Sequence, residues 1–285
     1  MNAGQFCYIT TCKGRLDHLR QTLPLAVAQP GVSCVVVDYS CPDGAGDWVA
    51  ENFPQVKLVR VTGEAGFNVS RARNLGAEAT AAPWLGFFDA DVLWSPRFAA
   101  EMVAQLQPGC FYRAVPASTQ TWGSLICHRD DFSAVGGYDE AFSGWGGEDD
   151  DIVARLTRQG CTQAGFDGEL VSEIPHQEED RVRFHQVKDR RTQRWINMLY
   201  TAAKLDLMRF VSGPLALSMR QTIYAEVERS VLQSLAKGSG PAKMEIKLPD
   251  KMTRMPAIDG RTEQCLLGHK MVYTLQVALG QEGAQ

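Results

Sequence analysis

The stretch Trp84-Leu85-Gly86-Phe87-Phe88-Asp89-Ala90-Asp91 runs from an unbroken apolar segment straight into two carboxylates spaced i,i+2. Such a run reads as a buried strand, and carboxylates at its C-terminal end stand where open α/β sheets place their ligands. The residues before it repeat the same grammar. Phe6-Cys7-Tyr8-Ile9-Thr10 is a short apolar run, after which Leu16, Leu19, Leu23 and Val27 recur at helical spacing up to Pro30-Gly31. Val32 to Val37 forms a second strand ending in Asp38, and Ala45 to Phe53 a helix. Val56 to Val61 is a third strand, and Ser70 to Ala79 a helix carrying Arg71, Arg73 and Asn74. Val/Ile/Phe strands joined by helices predict an α/β sheet of largely parallel strands, covered on both faces.

Downstream the pattern changes. A helix follows Pro96 to about Gln107, and then Cys110 to Val115 and Trp122 to Cys127 read as strands with no crossover helix between them. After Phe132 and the turn Gly136-Gly137-Tyr138 comes Phe142-Ser143-Gly144-Trp145-Gly146-Gly147-Glu148-Asp149-Asp150-Asp151, with consecutive carboxylates behind a Trp flanked by glycines. The glycines let a substrate approach the backbone, and clustered carboxylates suit a cation or a proton transfer. Asp150 to Gln159 reads as a helix with Ile152, Val153 and Leu156 on one face and acidic residues at its N-terminus, where the helix dipole favours them. From Thr192 to about Leu235 the reading is helical, and the remainder, with Gly238-Ser239-Gly240-Pro241 and Pro249, is a poorly periodic appendage.

Composition narrows the function classes. The chain has 285 residues, 45% apolar and 22% charged, as globular proteins do. A net charge of -4 argues against nucleic acid as the main partner. Locally the balance reverses, because nine Lys/Arg between Arg181 and Arg220 face only Asp189 and Asp206. On that basic stretch Trp195, Leu199, Ala202 and Leu205 share one helical face, which either packs on the preceding domain or leaves the positive face for an anionic surface. Met1 to Gln5 shows no basic region followed by an apolar one, and no stretch reaches the roughly 18 apolar residues of a membrane span. Eight cysteines form no Cys-x-x-Cys pair and fall in apolar contexts, as buried free thiols of a reducing cytosol do. A cytoplasmic location is expected, with possible peripheral contact at the inner membrane.

The carboxylates suggest the chemistry. Asp89 and Asp91 offer hard oxygen ligands for Mg²⁺ or Mn²⁺ against a diphosphate, and such a metal offsets charge on a leaving nucleoside diphosphate. His176 offers an imidazole that would favour Mn²⁺; read alone, such a residue is more often a hydrogen-bonded loop histidine. Asp149 suits a cap for the helix that follows it. No Gly-x-x-x-x-Gly-Lys-Ser/Thr supports a P-loop nucleotidase. The first strand is followed by Thr-Cys-Lys-Gly-Arg instead of the Gly-x-Gly-x-x-Gly of dinucleotide enzymes. A nucleotidyltransferase acting on sugar phosphates shares the sheet and the metal-binding carboxylates but leaves Trp145 and its glycines unexplained. A non-catalytic sugar- or metal-binding module needs the carboxylates but no nucleotide.

In Gly144-Trp145-Gly146-Gly147-Glu148-Asp149-Asp150 combined with Asp89-Ala90-Asp91, the chain resembles glycosyltransferases of the GT-A fold. The group is that of families 2 and 7, with the β1,4-galactosyltransferases, bacterial chondroitin-polymerase enzymes and, for the acidic motif, polypeptide N-acetylgalactosaminyltransferases. The resemblance covers roughly residues 6 to 180. It implies a Rossmann-like mixed sheet flanked by helices, with a C-terminal helical appendage. Residues 1–115 would form the nucleotide-sugar-binding half, 116–184 the acceptor-binding and catalytic half of the same domain, and 185–285 a mainly helical extension.

The implied activity is a metal-dependent, inverting transfer of a hexose or N-acetylhexosamine from a UDP-sugar to a glycan, a lipid-linked acceptor or another hydroxyl. Thr10, Thr11 and Arg15, in the loop Thr10-Thr11-Cys12-Lys13-Gly14-Arg15, would wrap the base, and Asp38 would read uracil. Asp38 is followed by Tyr39-Ser40 where relatives often carry a second Asp and a Gly. Arg73 and Asn74 match a helix start whose Arg faces the nucleotide. Asp91 would hold the metal, with Asp89 nearer the ribose or in the metal's outer shell, and His176 where the group often has its third metal ligand. Trp145 would stack on sugar beside Gly147, Glu148 would hold sugar hydroxyls, and Asp149 would be the general base.

Overall fold

The computed structural model describes residues 4–118, 121–175, 182–208, 215–237, 242–247 and 270–275. The chain forms two compact units, residues 1–188 and 189–285.

The first unit is built on a seven-stranded sheet in the order β3-β2-β1-β4-β7-β6-β8. These strands are β1 (Phe6–Cys12), β2 (Val32–Tyr39), β3 (Lys57–Val61), β4 (Trp84–Phe87), β6 (Cys110–Val115), β7 (Leu125–His128) and β8 (Thr162–Asp167). β5 (Val92–Trp94) pairs apart from them with β9 (Val171–Glu173). Alternation along β1 explains why both faces are covered. Phe6 and Tyr8 enter one apolar layer with Leu19, Leu23, Val49, Phe98 and Met102. Cys7 and Ile9 enter the other with Ala72, Ala77, Ile152 and Leu156. The first layer takes the inner faces of α1 (Leu16–Val27), α2 (Ala45–Asn52) and α4 (Phe98–Gln105). The second takes those of α3 (Val69–Glu78) and α6 (Glu148–Gln159). Between β6 and α6 lies the short α5 (Arg129–Ala134).

β1 pairs in parallel with both β2 and β4, so chain progression runs outward from it in two directions. That reversal opens a crevice at the C-terminal strand ends, where Cys12 and Phe88 to Asp91 emerge. β7 then runs antiparallel to β4, with Phe87 opposite Leu125. The antiparallel step brings residues just before β7 to the mouth where β4 delivers Asp89. β6 runs antiparallel to β7, and its Arg113 follows Tyr112, which pairs with Ile126.

Some expected boundaries move. β1 continues through Thr10 and Thr11 to Cys12, paired with Val36, Val37 and Asp38 of β2, so the connecting loop begins only at Lys13. The segment expected as a strand from Trp122 is a turn up to Ser124, whose N–H bonds to the Thr121 carbonyl at 3.0 Å. The three-residue β5 and β9 and the polar edge strand β8 were not anticipated.

In the second unit α7 (Arg190–Leu207) packs against α8 (Leu217–Ala236), and β10 (Ala242–Lys247) pairs antiparallel with β11 (Lys270–Leu275). The appendage is thus helical with an added strand pair. Its buried stripe on α7 is Ile196, Tyr200, Ala203 and Leu207, with Gln193 and Asn197 beside it, while Ala202 is exposed. The expected stripe through Trp195 is displaced by one residue. Packing selects the face: the Tyr200 ring meets Tyr224 of α8 at 5.1 Å, and the Tyr224 hydroxyl donates to Asn197 at 2.8 Å. Among the described residues no helix is long and apolar enough to cross a membrane.

Candidate active site

Arg73 organises the mouth of the sheet. It sits on the second turn of α3, whose N-cap Asn68 accepts the Arg71 N–H at 2.9 Å. Three residues on, Gly76 lets the helix lie against β1: a Cβ there would stand 2.4 Å from Ile9 Cγ2. Close packing keeps the guanidinium buried, 3% exposed, with its plane over the Tyr138 ring at 4.9 Å. Nη2 donates to Asp89 Oδ1 at 2.9 Å and Nη1 to Asp149 Oδ1 at 2.7 Å. Glu148 Oε1 lies 3.5 Å from Nη1. One fork therefore joins the strand that ends in Asp-x-Asp to the helix that starts with the acidic run.

The acidic run enters α6 earlier than expected. The helix starts at Glu148 behind Gly147, so Asp149 lies in its first turn and does not cap it. Gly144, Gly146 and Gly147 have φ of 81°, 81° and 93°. These left-handed values explain the glycines around the half-buried Trp145, since no other residue adopts them without strain. Glu148 is buried, and burial together with Asp149 pushes its carboxyl up to about 8 against the pull of Arg73. Asp151 has a different task. It is fully buried and pairs with Arg155 at 2.8 Å, and Arg155 Nη1 donates to the carbonyls of Val135 and Gly137, each at 2.7 Å. That clamp holds the turn leading to Tyr138.

Asn74 reinforces the same turn. Its amide accepts the Tyr138 N–H at 2.8 Å and donates to the Tyr138 carbonyl and to Glu140. Its contacts are with the Tyr138 backbone and the Glu140 side chain, next to the site.

At the end of β4 Asp91 is nearly buried, with Arg15 Nη1 at 3.8 Å from its carboxylate, while the Asp89 side chain is 42% exposed. The Asp91 carbonyl accepts the Ile174 N–H at 2.9 Å, tying the strand end to the chain two residues before position 176. His176 itself lies outside the described residues. Among those residues no group of three or more His, Cys, Asp or Glu converges. Asp89 and Asp91 alone suit a cation that keeps waters and phosphate oxygens in its shell.

The neighbouring loops are tightly held. Asp38 accepts the N–H groups of Cys41 at 2.8 Å and Gly46 at 3.1 Å. Ser40 takes a φ of 50°, doing at this position what a glycine does freely. Its Oγ offsets the strain, donating to the Val61 carbonyl at 2.9 Å and accepting the Glu64 N–H at 3.0 Å. Lys13 Nζ donates to the carbonyls of Tyr39, Ser40 and Glu64 and lies over the Phe184 ring at 5.2 Å. Thr10 and Thr11 are buried in β1 behind this loop.

Sequence reading missed the opposite wall. Trp122 is 49% exposed, its ring lies 4.1 Å from the Arg113 guanidinium carbon, and its Nε1 donates to Asp150 Oδ1 at 3.2 Å. A Cβ on Gly123 would stand 3.1 Å from Asp149 Oδ2 and 3.3 Å from both Arg73 Nη2 and Asp89 Oδ2. Its absence leaves a gap beside all three groups. Two signals were available: an Arg inside an otherwise apolar strand, and a second Trp-Gly pair like Trp145-Gly146.

Comparison with known proteins agrees with this geometry. Residues 7–121 match the glycosyl transferase family 2 model, and residues 111–180 match a family 7 model described as the N-terminal domain of galactosyltransferase. No curated protein matches the chain in sequence. Among solved structures it is similar to the mannosyltransferase PcManGT from Pyrobaculum calidifontis in complex with GDP-Man and Mn²⁺. That likeness has a TM-score of 0.55 at 15% identity, over 84% of this chain and 77% of the other. It is also similar to S. aureus TarS in complex with UDP, at a TM-score of 0.53 and 12% identity over 83% and 75% of the two chains. With both family models falling on the segments that carry Arg73, Asp89 and the acidic turn, the protein is a GT-A fold glycosyltransferase, similar to families 2 and 7, that moves a sugar from a nucleotide-sugar donor.

Proposed function

We propose that the protein carries out a metal-dependent, inverting transfer of a hexose or N-acetylhexosamine from a UDP-sugar to a hydroxyl of a glycan or lipid-linked acceptor. The observation that carries this reading is the Arg73 fork, which holds Asp89 and Asp149 on either side of the gap left by Gly123. With Asp149 Oδ1 bound to Arg73, Oδ2 faces the gap, where it takes the proton of an acceptor hydroxyl as that oxygen attacks C1. Glu148, neutral near pH 7, donates a hydrogen bond to a sugar hydroxyl, and Trp145 supplies a flat apolar face for the ring.

Asp91 and Asp89, with His176 as the further candidate, would hold Mn²⁺ or Mg²⁺, which when bound offsets the negative charge growing on the diphosphate. Arg15 adds a fixed positive charge beside Asp91. The uridine assignment rests on Asp38 at the β2 end, whose oxygens keep lone pairs beyond the two amides they accept. In the two similar structures the bound nucleotides are GDP-Man and UDP, so the base is the sharpest point to test.

The deciding experiment is slow donor hydrolysis across UDP-, GDP- and ADP-sugars with Mn²⁺, followed by determination of the product anomer once an acceptor is found. A UDP-sugar should turn over fastest and chelator should stop it. Equal competition by UDP, GDP and ADP would contradict the base assignment, and a product of retained configuration would contradict inversion.

A further inference from the structure

Two sulfurs stand beside the donor end of the sheet, and no step of the proposed transfer uses either. Cys12 is the last residue of β1 and wholly buried; Cys41 is half-buried in the β2–α2 connection. Their Sγ atoms are 3.9 Å apart, and the Gly14 N–H donates to Cys41 Sγ at 3.2 Å. α2 begins at Ala45 behind the left-handed Gly44, so the amides of Asp43 and Ala45 also turn toward the Cys41 sulfur. A ring of amide donors stabilises a thiolate as it would any small anion. The Cys12 thiol and these amides hold the Cys41 thiol down to about 6. The same sulfur–sulfur contact and burial push the Cys12 thiol well up. By contrast, burial and the neighbouring Cys7 raise Cys34 to about 12 and leave it inert. The pair is asymmetric: a reachable nucleophile outside, a proton-holding thiol inside.

We propose that Cys41 is a redox-reactive thiolate and Cys12 its resolving partner, closed into a disulfide by a hydroperoxide in a reaction that loosens the nucleotide's hold on the adjoining loops. In the first step the Cys41 thiolate attacks the terminal peroxide oxygen, the O–O bond breaks, and the departing oxygen takes a proton from water. Cys41 becomes a sulfenic acid. The Cys12 sulfur then attacks Cys41, the S–O bond breaks, and hydroxide leaves with the Cys12 proton as water. Two thiols have lost two electrons and two protons, and the peroxide has become an alcohol, or water, plus water.

A disulfide closes to about 2.05 Å, so the present separation must roughly halve. Gly14 loses the thiolate its N–H points to, and Asp38, which accepts the Cys41 N–H at 2.8 Å, moves with the loop. The effect on nucleotide rests on the donor-site reading; the thiol chemistry does not.

The test uses the full chain, reduced and then treated with hydrogen peroxide. Alkylation followed residue by residue by mass should show Cys41 reacting with a midpoint near pH 6, as its depressed thiol requires. Peroxide should yield a Cys12–Cys41 linked peptide that dithiothreitol reverses, and Cys12→Ser should trap a dimedone adduct on Cys41. Affinity for UDP with Mn²⁺ should fall about tenfold on oxidation, and the ratio of oxidised to reduced affinity should return to one in Cys41→Ser. Alkylation of Cys41 no faster than of Cys34 at pH 7, or no linked peptide, would overturn the reactive pair. A linked protein that holds UDP as tightly as the reduced one would overturn the coupling. Reduced protein that binds no nucleotide would fault the donor reading instead, and the two are told apart because the linked peptide is scored by mass without nucleotide.

Discussion

Arg73 Nη1 lies 2.7 Å from Asp149 Oδ1, across 76 positions of sequence, while the other arm of the same guanidinium holds Asp89. Removing it leaves Asp89 and Asp149 facing one another beside Glu148 without the guanidinium that joins them. Arg73→Ala should therefore cost about 3–5 kcal/mol of stability, the usual penalty for breaking a buried ion pair. Arg73→Lys keeps the charge but not the fork, and should recover part of the stability while turnover stays low. Urea unfolding of the two variants beside a turnover assay checks this; an Arg73→Ala protein as stable as wild type would deny the brace.

Asp149→Asn keeps shape and loses the ability to take a proton. We expect kcat to fall on the order of 10²-fold or more while UDP still binds. Turnover within a few-fold of wild type would move the base elsewhere, with Glu148 next in line.

The raised Glu148 carboxyl makes stability depend on pH. Its folded value is about 8 against an ordinary 4.5, so between these limits folding takes up a proton that the unfolded chain lacks. The contribution is whole below about pH 4.5 and is lost as pH rises toward 8. Glu148→Gln stays neutral throughout, so its advantage over wild type should widen by about 1.4 kcal/mol per pH unit within that window. Denaturant unfolding of both proteins at pH 5 and pH 8 measures the change, and a constant difference would mean Glu148 is ionised throughout.

Gly123→Ala tests the gap directly. Its Cβ would stand 3.1 Å from Asp149 Oδ2, tighter than ordinary contact, in a buried turn. Crowding at this buried position should cost about 1–3 kcal/mol in unfolding while kcat/KM of the folded variant drops at least tenfold. Unaltered kinetics would place the reacting atoms away from Gly123.

How far the sequence carries the reader differs from residue to residue. Asp89, Asp91 and the run through Asp151 announce themselves because their signal is local: an apolar strand that stops at carboxylates, and glycines beside Trp145 that need left-handed backbone. Arg113 and Trp122 do not, because only the antiparallel entry of β7 beside β4 sets them across from Asp150. Strands of three residues such as β5 and β9 are too short to show a period. On α7 the charge pattern was plain but the buried stripe was off by one residue, since Asn197 and Gln193 are buried by bonds to Tyr224, which no hydrophobic count foresees.

The basic start of α7 carries the last prediction. Arg191 and Arg194 are exposed, and Arg190 is half-buried. If these residues recruit the enzyme to an anionic surface near a lipid-linked acceptor, the protein should sediment with anionic but not neutral vesicles, at about 1 kcal/mol per contributing residue. Binding should weaken as salt rises and on neutralising Arg190, Arg191 and Arg194. Equal behaviour toward both vesicles would leave the helix as scaffold.

Asp151 and Asp149 share one helical turn, yet variants at the two positions should look different inside a cell. The Asp151–Arg155 clamp holds the backbone of the turn before Tyr138, so its loss lowers the amount of folded enzyme that survives quality control. Asp149→Asn, which still offers an oxygen to Arg73, leaves most of the amount and takes the turnover. A variant survey that scores only product would merge the two, whereas protein abundance measured beside product would sort neighbouring acidic residues into folding and chemistry.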